Sequence, residues 1–170
     1  MTTKYVIYHD NCNDGLSAAA IHSLLEPGWE YVAGKYNKSL KDYPDFTNCE
    51  VLFLDFSFKE EDFRELLTIA KSVIVIDHHI TAHYYLSKIV EEDNVFKTYF
   101  YDINECGTSL VWQYIHNYKE IIPLSIQCVK DQDIYVWTNP SVSRPVCLYM
   151  ETIPRNLEGY IEYWKEMLTH

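Results

Sequence analysis

Val73-Ile74-Val75-Ile76-Asp77-His78-His79 sets four β-branched residues directly before an acid and two imidazoles. A short, unbroken apolar run of this kind reads as a strand buried on both faces. Nothing in folding alone calls for two adjacent histidines and a carboxylate beyond its end. The same event occurs twice more. Tyr5–His9 (YVIYH) runs into Asp10 and Asp14, and Val51–Leu54 (VLFL) runs into Asp55.

Between and after these runs the pattern alternates. Helices are expected over Asp14–Leu25, Lys59–Lys71, Ala82–Lys88, from Cys106 to Tyr118, over Ile122–Lys130 and over Asn156–Leu168. Further strands are expected at Glu30–Lys35 and Val95–Tyr101. Apolar strands alternating with helices imply an α/β fold, doubly wound, with a mainly parallel sheet of about five strands and helices on both faces. The 170 residues are read as one domain, its motif-bearing core at about 5–140 and residues 141–170 forming an extension with a helix.

If the three acid-ending strands are parallel, their tips share one edge of the sheet, where α/β folds gather ligands. Carboxylates brought together there repel and raise each other's pKa unless a cation compensates. Oxygen ligands with a few imidazoles and no thiolate cluster favour Mn²⁺ or Mg²⁺ over structural Zn²⁺. Two such ions about 3.5–4 Å apart activate water and stabilise a phosphoryl displacement. Asp131 and Asp133, in VKDQDIYVW, add a fourth cluster; Asp131 is preferred as a ligand because Ile134 begins an apolar run that carries Asp133 toward packing. Cys106-Gly107-Thr108-Ser109 opens a helix with small and hydroxyl residues, and its Gly107, Thr108 and Ser109 are candidate phosphate contacts through backbone N–H groups. His22, His83, His116 and His170, standing alone, read as core or surface residues.

The composition narrows the partners. The chain is 48% hydrophobic and 15% aromatic, enough for a sizeable core. Its formal charge of −11 argues against gripping long nucleic acid through many phosphate contacts. It leaves room for a small phosphorylated substrate whose charge bound cations would meet. Five cysteines without a CxxC pair suit a reducing cytoplasm, and no run approaches a membrane span.

Taken in order, the motifs resemble those of the DHH phosphoesterases. YHDNCNDGLSAAA is similar to that family's first motif, VLFLDFS to its second, VIDHH to its third and VKDQDIYVW to its fourth, with CGTSLVWQY between the last two; the resemblance covers about residues 5–140. It implies a five-stranded parallel domain, two divalent cations (usually Mn²⁺), and hydrolysis of a phosphoester or phosphoanhydride by a metal-bound hydroxide. Carried over, His9 or Asp10 and Asp14 are first-motif ligands and Asp55 bridges the ions. His78 is a ligand, and Asp77 ligates or orients it. His79 contacts the scissile phosphate or protonates the leaving group, and Asp131 completes the second ion.

Two departures stand out. Cys12 occupies a position where many members have an acid, and no glycine-rich, His-containing C-terminal substrate motif is present. The substrate grip is therefore absent, reduced to Tyr99–Tyr101 and Asn139–His170, or supplied by a partner subunit in a homo-oligomer. A cyclic or short linear nucleotide is the favoured substrate, with polyphosphate or pyrophosphate next. A non-hydrolysing nucleotide binder and a receiver-like domain phosphorylated at Asp55 are the competing readings.

Overall fold

The computed structural model describes residues 2–169, so His170 lies outside the described residues. Five strands form one sheet: β1 (Lys4–His9), β2 (Glu30–Gly34), β3 (Glu50–Leu54), β4 (Ser72–Asp77) and β5 (Phe96–Tyr101). All neighbouring pairs are parallel and the order is β2-β1-β3-β4-β5. The helices are α1 (Asn13–Leu25), α2 (Glu60–Ile69), α3 (Ile80–Glu92), α4 (Gly107–His116), α5 (Leu124–Asp133), α6 (Pro140–Met150) and α7 (Leu157–Met167). The expected doubly wound α/β architecture is the one observed.

Strand alternation sorts the core into two layers. Val6, Tyr8, Leu52, Leu54 and Ile76 face one side and pack with residues of α1, α4, α5 and α7. Ile7, Phe53, Val73 and Val75 face the other and pack with α2 and α3. Helix α1 lies deep in the first layer, and Leu16, Ala18, Ala19, Ala20 and Ile21 are wholly buried. Its small residues let it sit close to its neighbours, whereas α2 is amphipathic and buries only Phe63, Leu66 and Leu67. Tyr160 and Trp164 of α7 are also fully buried in the first layer, so the 141–170 segment contributes to the same core.

The structure departs from the expected elements in two places. Helix α3 spans Ile80–Glu92, well beyond the short segment expected. Helix α6 is not among the expected elements, and it carries Pro145 in its interior. Pro140 starts this helix, where a missing N–H costs nothing.

In this strand order the chain leaves β1 toward β2 on one side and returns to β3 on the other. The switch point, where side chains splay apart beyond the strand ends, thus lies between β1 and β3. His9 ends β1, Asp55 follows β3, and Asp77 ends β4.

Candidate metal centre

Two glycines let the strand tips converge. A Cβ on Gly15 would lie 2.2 Å from the His9 carbonyl oxygen, so only glycine lets α1 begin under the end of β1. A Cβ on Gly107 would lie 2.5 Å from Asp55 Cβ and 3.0 Å from Asp14 Oδ2. Asp55 itself adopts a left-handed backbone (φ 54°), a conformation uncommon outside glycine that is found where a site demands it.

Two groups of three side chains result. His9, Asp55 and His79 each offer one ligand atom within 4.8 Å of the others, and so do Asp14, Asp55 and His78. Asp55 is common to both. Its Oδ2 lies 3.4 Å from His9 Nδ1, and its Oδ1 lies 3.1 Å from His78 Nε2 and 3.7 Å from His79 Nδ1. His78 Nε2 is also 3.7 Å from Asp14 Oδ2 and 3.4 Å from Asp133 Oδ2.

The structure brings some of the candidate residues together and not others. His9 joins the cluster, whereas Asp10 turns away to pair with Lys35 Nζ at 3.2 Å. Asp133, not Asp131, faces His78. Asp131 instead accepts hydrogen bonds from Ser143 Oγ (2.5 Å) and the Asn139 backbone N–H, fastening the start of α6. The reason is the length of α5. The helix continues to Asp133, and two residues turn it by about 200°, so the two acids look in opposite directions.

The start of α4 is also used differently from the expectation. Gly107 N (2.6 Å), Thr108 N (2.8 Å) and Thr108 Oγ1 (2.6 Å) all donate to the Asp14 carboxylate. Ser109 Oγ accepts from Cys106 N and donates to Glu105. At the positive end of the helix these two N–H groups are thus engaged by a protein carboxylate. Asp77 is in neither group of three. Its Oδ1 accepts from the backbone N–H groups of His78 (2.8 Å) and His79 (3.3 Å) and lies 2.7 Å from His79 Nδ1, so it orients both imidazoles.

Electrostatics mark the cluster as unfinished on its own. Burial, aided by Asp55 and Asp133, pushes Asp14 up to about 7 despite its four hydrogen-bond and imidazole contacts. Burial and Asp55 likewise raise Asp133. Burial opposes the charge of Asp55, but the His78 and His9 imidazoles outweigh it and hold this carboxyl well below the usual range. Burial also opposes the charge on His78, and its carboxylate neighbours overcome that to raise it to about 9. Asp55 Oδ1 and Asp77 Oδ2 are buried without an aligned hydrogen bond, although such atoms normally have a partner. Unpartnered buried oxygens, several carboxylates and neutralisable imidazoles are a donor set that fits divalent cations.

Two residues at the cluster, Cys12 and Tyr36, have no role assigned from the sequence. Cys12 caps α1, accepts from Gly15 N at 3.1 Å, and contacts both His9 and Asp55. Its only signal was its departure from the expected acid. Tyr36 is 49% exposed and packs edge-on against His9, ring centroids 5.2 Å apart. It borders two surface cavities, of about 430 and about 320 Å³, on either side of the cluster.

No family model matches the chain. It is 27% identical over 166 residues to the uncharacterized protein R106 of Acanthamoeba polyphaga mimivirus, an alignment covering 86% of this chain and 37% of that protein. Its fold is similar to the crystal structure of an uncharacterized protein from Helicobacter pylori G27, with a TM-score of 0.58, 14% identity, and coverage of 81% of this chain and 45% of that one. The chain thus spans less than half the length of each of these proteins.

Proposed function

We propose that this chain is a divalent-metal-dependent phosphoesterase of the DHH type, hydrolysing a phosphodiester or phosphoanhydride bond in a small substrate, with a cyclic or short linear nucleotide favoured. The observation that carries the reading is Asp55, a single buried carboxylate shared by two separate groups of candidate ligands. In this reading Asp14, Asp55 and His78, with Asp133 beside them, hold one ion; His9 and Asp55 hold the other, with the His79 ring beside it. Mn²⁺ or Mg²⁺ bound there supplies the positive charge that activates water and neutralises a phosphate.

The protein's own groups have distinct work. Asp77 fixes the two histidines through their backbone N–H groups and through His79 Nδ1. That leaves the partly exposed His79 ring to give a proton to the departing oxygen. Tyr36 offers a face on which a base can stack. The cavity on one side of it also carries Lys35 and Arg155, cations suited to a substrate phosphate. The acidic balance of the chain disfavours long nucleic acid.

A phospho-accepting role for Asp55 has less support: its ionic neighbours among the described residues are His9, His78 and His79, with no lysine among them. Among the described residues, no helix is long and apolar enough to cross a membrane. A cytoplasmic setting belongs to the proposal and is supported by five free cysteines. A homo-oligomer that completes the substrate grip belongs to it as well.

The test is a hydrolysis screen with Mn²⁺ against cyclic mono- and dinucleotides, dinucleotide RNA, pyrophosphate and polyphosphate. Multiple turnovers on a nucleotide are expected. Binding without turnover beyond one equivalent would assign the chain to nucleotide sequestration instead.

A further inference from the structure

Cys12 is the group in the centre to which the DHH resemblance gives no role. Its Sγ lies 3.3 Å from His9 Nδ1 and 3.5 Å from Asp55 Oδ2, and those two atoms are 3.4 Å apart. Three donors on one tetrahedral ion, with N and O bonds near 2.0–2.1 Å and a sulfur bond near 2.3 Å, sit about 3.3–3.6 Å from one another. The triangle has those edges before any ion is present. A second feature points to ions in this centre: Asp55, 1% exposed, uses Oδ2 for this triangle, while its Oδ1, on the His78 and His79 side, is buried with no aligned hydrogen bond. The Gly15 N–H donates to the sulfur from the first turn of α1; burial and the Asp55 and Asp14 carboxylates hold the thiol protonated, so a bound cation is what would release its proton.

We propose that Cys12 ligates the ion on the His9 side, so that the two metal positions differ in chemistry. The His9–Cys12–Asp55 position suits a borderline ion such as Zn²⁺, Co²⁺ or Fe²⁺. The Asp14–Asp55–His78 position, with Asp133, suits Mn²⁺ or Mg²⁺. On binding, the S–H bond breaks, its proton passes to solvent, and the sulfur electron pair forms the metal–sulfur bond. Three protein donors leave a fourth position open, the pattern of catalytic and not of closed structural sites. This inference rests on the two-ion reading above and refines it.

The test titrates Co²⁺ into the full chain after chelator treatment and follows absorption. A sulfur-to-cobalt charge-transfer band should grow to one equivalent in the wild type. In Cys12→Ser it should vanish while the visible ligand-field bands persist. Zn²⁺ affinity should fall about 10–100-fold in that variant, with Mn²⁺ affinity nearly unchanged. X-ray absorption on the Zn²⁺-loaded proteins should show a sulfur scatterer at about 2.3 Å in the wild type and none in Cys12→Ser. A band of equal strength in Cys12→Ser would assign the sulfur to Cys49, Cys106, Cys128 or Cys147 and overturn the inference. Cobalt bound without a band would overturn it and leave the two-ion reading standing. No binding of Co²⁺ or Mn²⁺ at all would overturn both.

Discussion

The two ends of helix α1 carry polar groups buried to the same depth, and they behave in opposite ways. Asp14 at its start and His22 near its end are each 2% exposed. His22 has one polar partner, Tyr31 OH at 2.7 Å from Nδ1, and burial alone lowers its pKa to about 4. It is a neutral group that fits its surroundings. Asp14 is gripped by Gly107 and Thr108, which favour its charge, while burial, Asp55 and Asp133 act against that charge. The fold builds a cradle for a carboxylate and then crowds it with others. Burial alone therefore does not mark a functional group; an uncompensated conflict between neighbours does.

The strongest way to break this comparison is to remove the group at the centre of the conflict. Asp55→Ala should lower hydrolysis by about 10³-fold or more, since it strips a shared ligand from both positions. His22→Gln should leave the rate nearly unchanged. Steady-state kinetics on both variants checks the contrast, and comparable losses would remove the distinction between the two ends of α1.

Acidification sharpens the comparison from the His22 side. The folded pKa of about 4 lies below the ordinary value of 6.5. Between those values the unfolded chain takes up a proton that the folded chain refuses. Stability due to His22 is thus fully present above pH 6.5 and is lost as pH falls toward 4. The loss amounts to at most ~3 kcal/mol. Urea unfolding across that range should show the loss in the wild type and a smaller one in His22→Gln. Parallel curves would contradict a neutral, structural His22.

A smaller effect separates the two acids of α5. Asp131→Asn should cost about 1–3 kcal/mol by weakening the bonds from Ser143 and Asn139 while leaving metal affinity intact. Asp133→Asn should weaken metal binding about 10–100-fold with little change in melting temperature. Thermal unfolding and calorimetry on the pair would reveal an exchange of these roles.

Much of this arrangement was legible in the sequence, for physical reasons. Parallel strands buried on both faces must be continuously apolar, so VIVI and VLFL announced themselves, and their polar tips had to meet at one edge. The missed features depended on relations that no local pattern carries. Whether Asp131 or Asp133 faces the cluster depends on where α5 stops, a matter of three residues. The capture of Asp14 by Gly107 and Thr108 is a contact across more than ninety positions. Helix α6 forms around an interior Pro145 because the burial of Ser143, Cys147 and Met150, a tertiary matter, outweighs that residue's local preference. Cys12 looked like a defect in a motif until its sulfur was seen between His9 and Asp55.

The most direct measurement is a calorimetric titration of the metal-free chain with Mn²⁺, paired with electron paramagnetic resonance of the loaded protein. Two ions per chain at saturating Mn²⁺, the one on the His9 side the weaker, spin-coupled through Asp55 and reduced in number in Asp55→Ala, are the predicted result. A wild-type chain that binds no Mn²⁺, or only a single uncoupled ion even at saturating Mn²⁺, would contradict the account.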